Sequence, residues 1–353
     1  MMCKDSIQIY DILYRIYNQK DCIEHLTGVQ QGGDNFMSRE EQSRAEWIDI
    51  CRGIGIWIVV LGHCSPPFIK YIYSFHMPLF FILSGYLFRK RNLSIHANKI
   101  VIRYIVPYFV LCIINLIMQV IKDGGHGFLK CVIGIIYSRG TTEWMPNCSP
   151  LWFMTCITCA LFIYNLILSV KNVKIHFALI VFCALTSYNL YILGVPKLPW
   201  NIDTAMMSLV FIYLGTILKK YDKYFLKISP ILIVVFGIVG IISAHFNSET
   251  VNFDNNCYGN LFLMIISAVS ISLCIIYFVR KMDPLPRIFS FYGRHTVFIM
   301  GFDYFSGMVA MKFAHNFALV FILKMIILTI GILLWARVVG RISNDKVRQV
   351  LSI

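Results

Sequence analysis

The chain has 353 residues, 58% of them hydrophobic and 14% charged, with a formal net charge of +14 at neutral pH. That composition, with a mean hydropathy of +0.68, excludes an ordinary soluble domain and points to an all-α polytopic membrane protein. No strand-like alternation supports a barrel, and no basic stripe with interleaved aromatics supports nucleic-acid binding.

Residues 1–46 are polar and contain no apolar core of signal-peptide length. They are expected on the cytoplasmic side, with Ile7 to Tyr17 as a short amphipathic stretch. Hydropathy then predicts ten spans: 47–64, 71–88, 100–121, 150–170, 175–194, 203–218, 228–246, 259–279, 292–311 and 317–336. With ten crossings, the termini and alternate connections on one side carry 23 Lys and Arg, against six on the other. Retained basic residues mark the cytoplasmic side, so both termini are expected there, with 122–149 and 247–258 outside. The resulting plan is a membrane domain over 47–340 and a basic cytoplasmic tail over 341–353.

The first span opens with Asp49 and Arg52 and closes on His63. An eleven-residue step turns a helix about three times, placing Arg52 and His63 on one face about 16 Å apart. Asp49, three residues before Arg52, falls on that face too. Ionisable groups at membrane depth are costly, so this face predicts a polar site rather than lipid contact. In the second span, His76 stands two residues before Pro78, a residue tolerated in a first helical turn, so His76 is expected at the outer mouth. His76 reads equally as a site residue or an interfacial cap. Ser84 and Gly85 allow close helix approach, and Ser84 is a substrate-contact candidate with packing as its other reading.

Among the twelve cysteines, Cys156 and Cys159 have a CxxC spacing inside an apolar span and read as core residues; no metal is expected. Cys148 and Cys257 fall in the outer connections and are open to pairing where the outside is oxidising.

Arg52-Gly53, Gly62-His63 and the run from Ser74 to Tyr86 together resemble the amino-terminal signature of the membrane-bound acyltransferase family 3. Val106-Pro107-Tyr108, Ser149 to Phe153 and Tyr292 to Thr296 are similar to weaker family patterns, and the resemblance spans about residues 44 to 340. That family includes polysaccharide O-acetyltransferases, among them enzymes similar to fucose 4-O-acetylase. The resemblance implies a core of about ten helices that transfers an acetyl group from acetyl-CoA to a hydroxyl of a sugar or glycan. The family's Arg and His fall on Arg52 and His63. Many members carry a His in the penultimate span where this chain has Asp303.

The chemistry fits these residues. A sugar hydroxyl is a poor nucleophile, and an imidazole such as His63 can take its proton. Asp49 or Asp303 is available to orient the other ring nitrogen. A transient acyl-His63 is the alternative route. Arg52 and Arg103 suit the phosphates of acetyl-CoA, because guanidinium matches phosphate oxygens in bidentate fashion. Arg89, Lys90 and Arg91 read as retention charges. Trp152 is the candidate for stacking on a sugar ring, and Trp144 reads as an interfacial belt residue. Glu143 and Asp203 read as solvated acids with sugar contact as the alternative. The expected setting is a bacterial inner membrane beside glycan-assembly enzymes. A non-catalytic transporter and an acyltransferase with an amine acceptor are the competing readings.

Overall fold

The computed structural model describes residues 39–282 and 288–341. The expectations for Ile7 to Tyr17 and for the basic tail lie outside the described residues. The chain divides into Met1–Ser43 and a compact unit, Arg44–Ile353, which carries every feature of the site described below.

All ten apolar stretches are helical. The first two are α1 (Arg39–Gly62) and α2 (Ile69–Leu87). Next, α3 (Leu93–Ile100) runs through a π turn at Val101–Ile105 into α4 (Val106–Asp123), and α5 (Phe128–Tyr137) follows. A 3-10 turn at Ser149–Leu151 opens α6 (Trp152–Ile167), which leads to α7 (Val173–Ile192), α8 (Ile202–Lys220) and the short α9 (Asp222–Phe225). The chain continues through α10 (Pro230–Phe246), α11 (Leu261–Lys281), α12 (Ile288–Arg294), α13 (Thr296–Ala310) and α14 (Phe317–Gly340). Six of the helical stretches are long and apolar enough by themselves to cross a bilayer; α5, α10 and α13 are apolar but shorter.

Local chemistry sets the helix ends. Asn172, Asn260 and Asn316 each accept a backbone N–H of the first turn, starting α7, α11 and α14. Pro66 and Pro67 stop α1 from continuing past His63. The π turn precedes Pro107, whose missing N–H would leave an α-helical ladder one bond short; Val106 N–H instead reaches back to the Val101 carbonyl.

Helix α2 is apolar around most of its circumference and mostly buried, as befits a central helix. It packs on α8 and α11, α8 packs on α6 and α7, and α13 packs on α14. At Gly85 a Cβ would lie 2.0 Å from the Ile212 carbonyl oxygen, so α2 meets α8 backbone to backbone, as the Ser84-Gly85 pair predicts.

One expectation needs correcting. Pro78 lies in the interior of α2, nine residues beyond Ile69, and not in its first turn. Such a proline is tolerated because surrounding helices shield the freed backbone. Cys148 and Cys257 are both free thiols.

Candidate active site

His63 directly follows the last residue of α1, its backbone N–H still bonded to the Val59 carbonyl at 3.0 Å. Its Nδ1 lies 2.6 Å from Oδ2 of Asp303, a carboxylate of α13 that is 240 residues away in sequence and 1% exposed. An imidazole that donates Nδ1–H to a carboxylate keeps its lone pair on Nε2. The other oxygen, Oδ1 of Asp303, is 2.8 Å from Nζ of Lys324 on α14. The residue just after α1, α13 and α14 thus contribute one His, one Asp and one Lys to a single cluster.

The His63 ring faces a cavity of about 290 Å³. His76 also lines it, with Nδ1–H donated to the Ile72 carbonyl at 3.0 Å, so its neutral ring likewise keeps Nε2 as an acceptor. Tyr73 and Tyr304 add two phenols, their rings 4.9 Å from His76 and 5.9 Å from His63 respectively. Thr141 and Ser149 come from one of the segments expected outside and Asn252, Asp254 and Asn255 from the other, Trp152 comes from the start of α6, and apolar side chains such as Met77, Phe80 and Phe153 complete the wall. Asp254 pairs with Lys197, Nζ to Oδ1 at 2.5 Å. Burial pushes its carboxyl up to about 6, against the pull of Lys197. A cavity with hydroxyls, amides, a carboxylate and one indole face is chemically suited to a polyhydroxylated ligand.

A second cluster gathers at the other end of α1. Asp49 lies 3.7 Å from Arg52 and accepts a hydrogen bond from Nε of Arg294 at 3.2 Å. Arg103, carried by the π turn, is close enough to Arg52 to act on it electrostatically. Backbone contact makes this cluster possible, since at Gly53 a Cβ would lie 1.8 Å from the Phe289 carbonyl oxygen. At Gly293 it would lie 1.7 Å from that of Asp49. The Arg52-Gly53 and Gly293-Arg294 pairs therefore work together: the glycines let α1 and α12 touch, and the arginines beside them meet at Asp49.

The sequence-derived candidates divide accordingly. His63, His76 and Trp152 line the cavity and Asp303 stands directly behind His63, while Arg52, Arg103 and Asp49 form the basic cluster. Asp49 does not orient His63, because Arg52 and Arg294 engage it; Asp303 has that position. Ser84 is not brought to the cavity, as its hydroxyl donates to the Phe80 carbonyl at 2.8 Å within α2. Trp144 lies under the cations of Lys130 and Arg139, at 5.1 and 4.9 Å. Glu143 pairs with Lys130, which holds its carboxyl below the ordinary value. Asp203 is buried and accepts from the Leu198 N–H at 3.4 Å. A separate hollow of about 590 Å³ at Lys90, Arg91, Asn92, Leu93 and Ser169 shares no residue with either cluster.

Residues that the sequence reading passed over are Lys324, Arg294, Asp254, Tyr73 and Tyr304. A signal existed for two of them. Of the 32 Lys and Arg, 28 fall outside the ten predicted spans, and the four that lie inside them are Arg52, Arg103, Arg294 and Lys324.

The model of one family, described as an acyltransferase domain, matches residues 45–341. The chain belongs to the acyltransferase family 3. No curated protein and no solved structure matches it. Both clusters lie within the matched acyltransferase domain, which is an integral membrane domain by its apolar helices.

Proposed function

We propose that the chain is a membrane O-acyltransferase that carries an acetyl group from acetyl-CoA to a hydroxyl of a sugar, on a lipid-linked or surface glycan of a bacterial inner membrane. The observation that carries this reading is the His63–Asp303 pair, which leaves a basic Nε2 facing a polar cavity. An imidazole so oriented can take the proton from an acceptor hydroxyl as it attacks the thioester carbonyl, with CoA thiolate as the leaving group. In this reading the membrane domain covers 47–340 and crosses ten times, with both termini cytoplasmic. Arg52, Arg103 and Arg294 then face the cytoplasm, where acetyl-CoA is available, and hold its phosphates. The acyl arm reaches along α1 toward His63, about 16 Å away. The acceptor occupies the cavity with Trp152 against a ring face. An acceptor similar to fucose is within this reading, as are other neutral sugars.

The test supplies radiolabelled acetyl-CoA and total cell glycan to membranes with and without the chain. Label in an alkali-labile glycan ester is expected only with the chain. Alkali-stable label would make the acceptor an amine, and no transfer at all would remove the enzymatic reading.

Two further outcomes follow from the geometry. Arg52→Ala should raise KM for acetyl-CoA about 10- to 100-fold, the value of a lost charge-assisted hydrogen-bond pair. Arg52→Lys should be nearly as impaired, because a point charge cannot reproduce the bidentate fork. A lysine variant with wild-type KM would reduce the role to charge alone. Asp254 gives a pH test. Its carboxyl, titrating at about 6, accepts acceptor hydroxyls when ionised and loses part of that capacity when protonated. KM for the acceptor should therefore rise as pH falls through about 6 in the wild type, and Asp254→Asn should show a raised KM without that step. An unchanged acceptor KM in Asp254→Asn would take this residue out of the acceptor site.

A further inference from the structure

Lys324 is 2% exposed, and the stretch 317–336 around it holds no other charged residue. A lysine in an apolar membrane helix is costly and usually functional, and a buried ion pair is rarely more stabilising than an apolar replacement. Its side chain lies across Gly307, one turn beyond Asp303, where a Cβ would sit 3.6 Å from Nζ. It ends 2.8 Å from Asp303 Oδ1, on the opposite oxygen from His63. We propose that Lys324 is a positioning residue for acyl transfer: it holds Asp303 ionised and keeps His63 neutral, and so ready to accept a proton. This inference rests on the reading of His63 as the base.

Charge balance governs this buried cluster. With Lys324 present, Lys⁺ and Asp⁻ cancel, and His63 is at its most stable when neutral. Without Lys324, the balanced arrangement is imidazolium with carboxylate, so His63 would hold its proton and lose its function as a base. The other groups facing the cluster do not alter this order. Just past α1 there is the thiol of Cys64, bonded to the Val60 carbonyl at 3.2 Å. On α13 there is the phenol of Tyr304. Across the cavity are Tyr73, His76 and Asp254, the last paired with Lys197. None is placed to neutralise Asp303 as Lys324 does.

The experiment measures kcat against pH for acetyl transfer by the full chain in membranes. Lys324→Met should move the acidic limb of the profile upward by about one pH unit or more, with activity at neutral pH down about ten-fold and partly recovered at alkaline pH. Lys324→Arg should keep the wild-type limb. A purely structural role would lower the whole profile without moving the limb. An unmoved limb in Lys324→Met, or a limb in Lys324→Arg that matches Lys324→Met, overturns the proposal. Should Lys324→Met fail to accumulate, Asp303→Asn is compared with the double variant Asp303→Asn/Lys324→Met, which leaves no charge of this pair behind. Equal activities support action through Asp303, and a further loss of about ten-fold in the double variant refutes it. His63→Ala separates the two levels: full activity there sinks the base itself, whereas an inactive His63→Ala with an unmoved Lys324→Met limb sinks only the role of Lys324.

Discussion

His63→Ala is expected to lower kcat for acetyl transfer by about 10² to 10⁴ while leaving KM for acetyl-CoA near its wild-type value. The split follows from the distance between the clusters. Donor phosphates are assigned to the arginines at one end of α1 and proton transfer to the imidazole at the other, so removing the ring should not loosen the donor. Asp303→Asn should come close to the same loss although it touches no substrate. An amide can accept from Nδ1–H through its oxygen, yet it no longer fixes the tautomer or stabilises the imidazolium, and a comparable change in a Ser-His-Asp triad costs about 10⁴. Rates would be read as label transferred per amount of membrane-inserted protein. Equal transfer by His63→Ala and wild type would remove His63 from the chemistry, and a rise in KM with unchanged kcat would move it to the donor site.

Much of the fold was legible because a membrane imposes a simple rule on sequence: a segment surrounded by lipid must be both helical and apolar. Every hydropathy maximum accordingly became a helix, including α1 and α13, whose polar residues weaken the apolar signal. The site was legible where a motif lay within one helix, as with Arg52 and His63. It was hidden where partners came from distant segments. Asp303 was noticed as a departure from a family pattern and named with Asp49 as a residue able to orient His63, but which of the two meets the ring depends on how α13 packs, which no local spacing encodes. Lys324 was passed over because long apolar runs are read for their length, and one cation barely changes the average. Sorting cations by whether they lie in connections or inside spans would have isolated Arg103, Arg294 and Lys324 together with Arg52 at once. The interior Pro78 was misplaced for a related reason: the rule that puts proline in a first turn derives from helices in water, where the freed carbonyl and lost bond are exposed.

The largest structural effect is expected at the contact between α1 and α12. Alanine at Gly53 would set its Cβ 1.8 Å from a carbonyl oxygen of Phe289, and alanine at Gly293 would set its Cβ 1.7 Å from that of Asp49. Both obstacles are backbone, so no rotamer change relieves them and the helices must separate by more than an ångström. Overpacking of this kind costs about 1–3 kcal/mol or more. Here it also pulls Arg294 from Asp49, and with it the geometry of the basic cluster. Each variant should therefore lower the thermal midpoint of the solubilised protein by several degrees and reduce the fraction that elutes as a single species. What survives should show a raised KM for acetyl-CoA rather than a defect in proton transfer, because His63 and Asp303 lie at the far end of α1. Gly340→Ala on α14 is the internal control, since a Cβ there meets nothing within 4 Å and alanine favours helix by up to about 1 kcal/mol. That variant should be neutral or slightly stabilised. If Gly53→Ala and Gly293→Ala behaved as it does, the two helices would not be in backbone contact, and the meeting of Arg52, Asp49 and Arg294 would need another explanation.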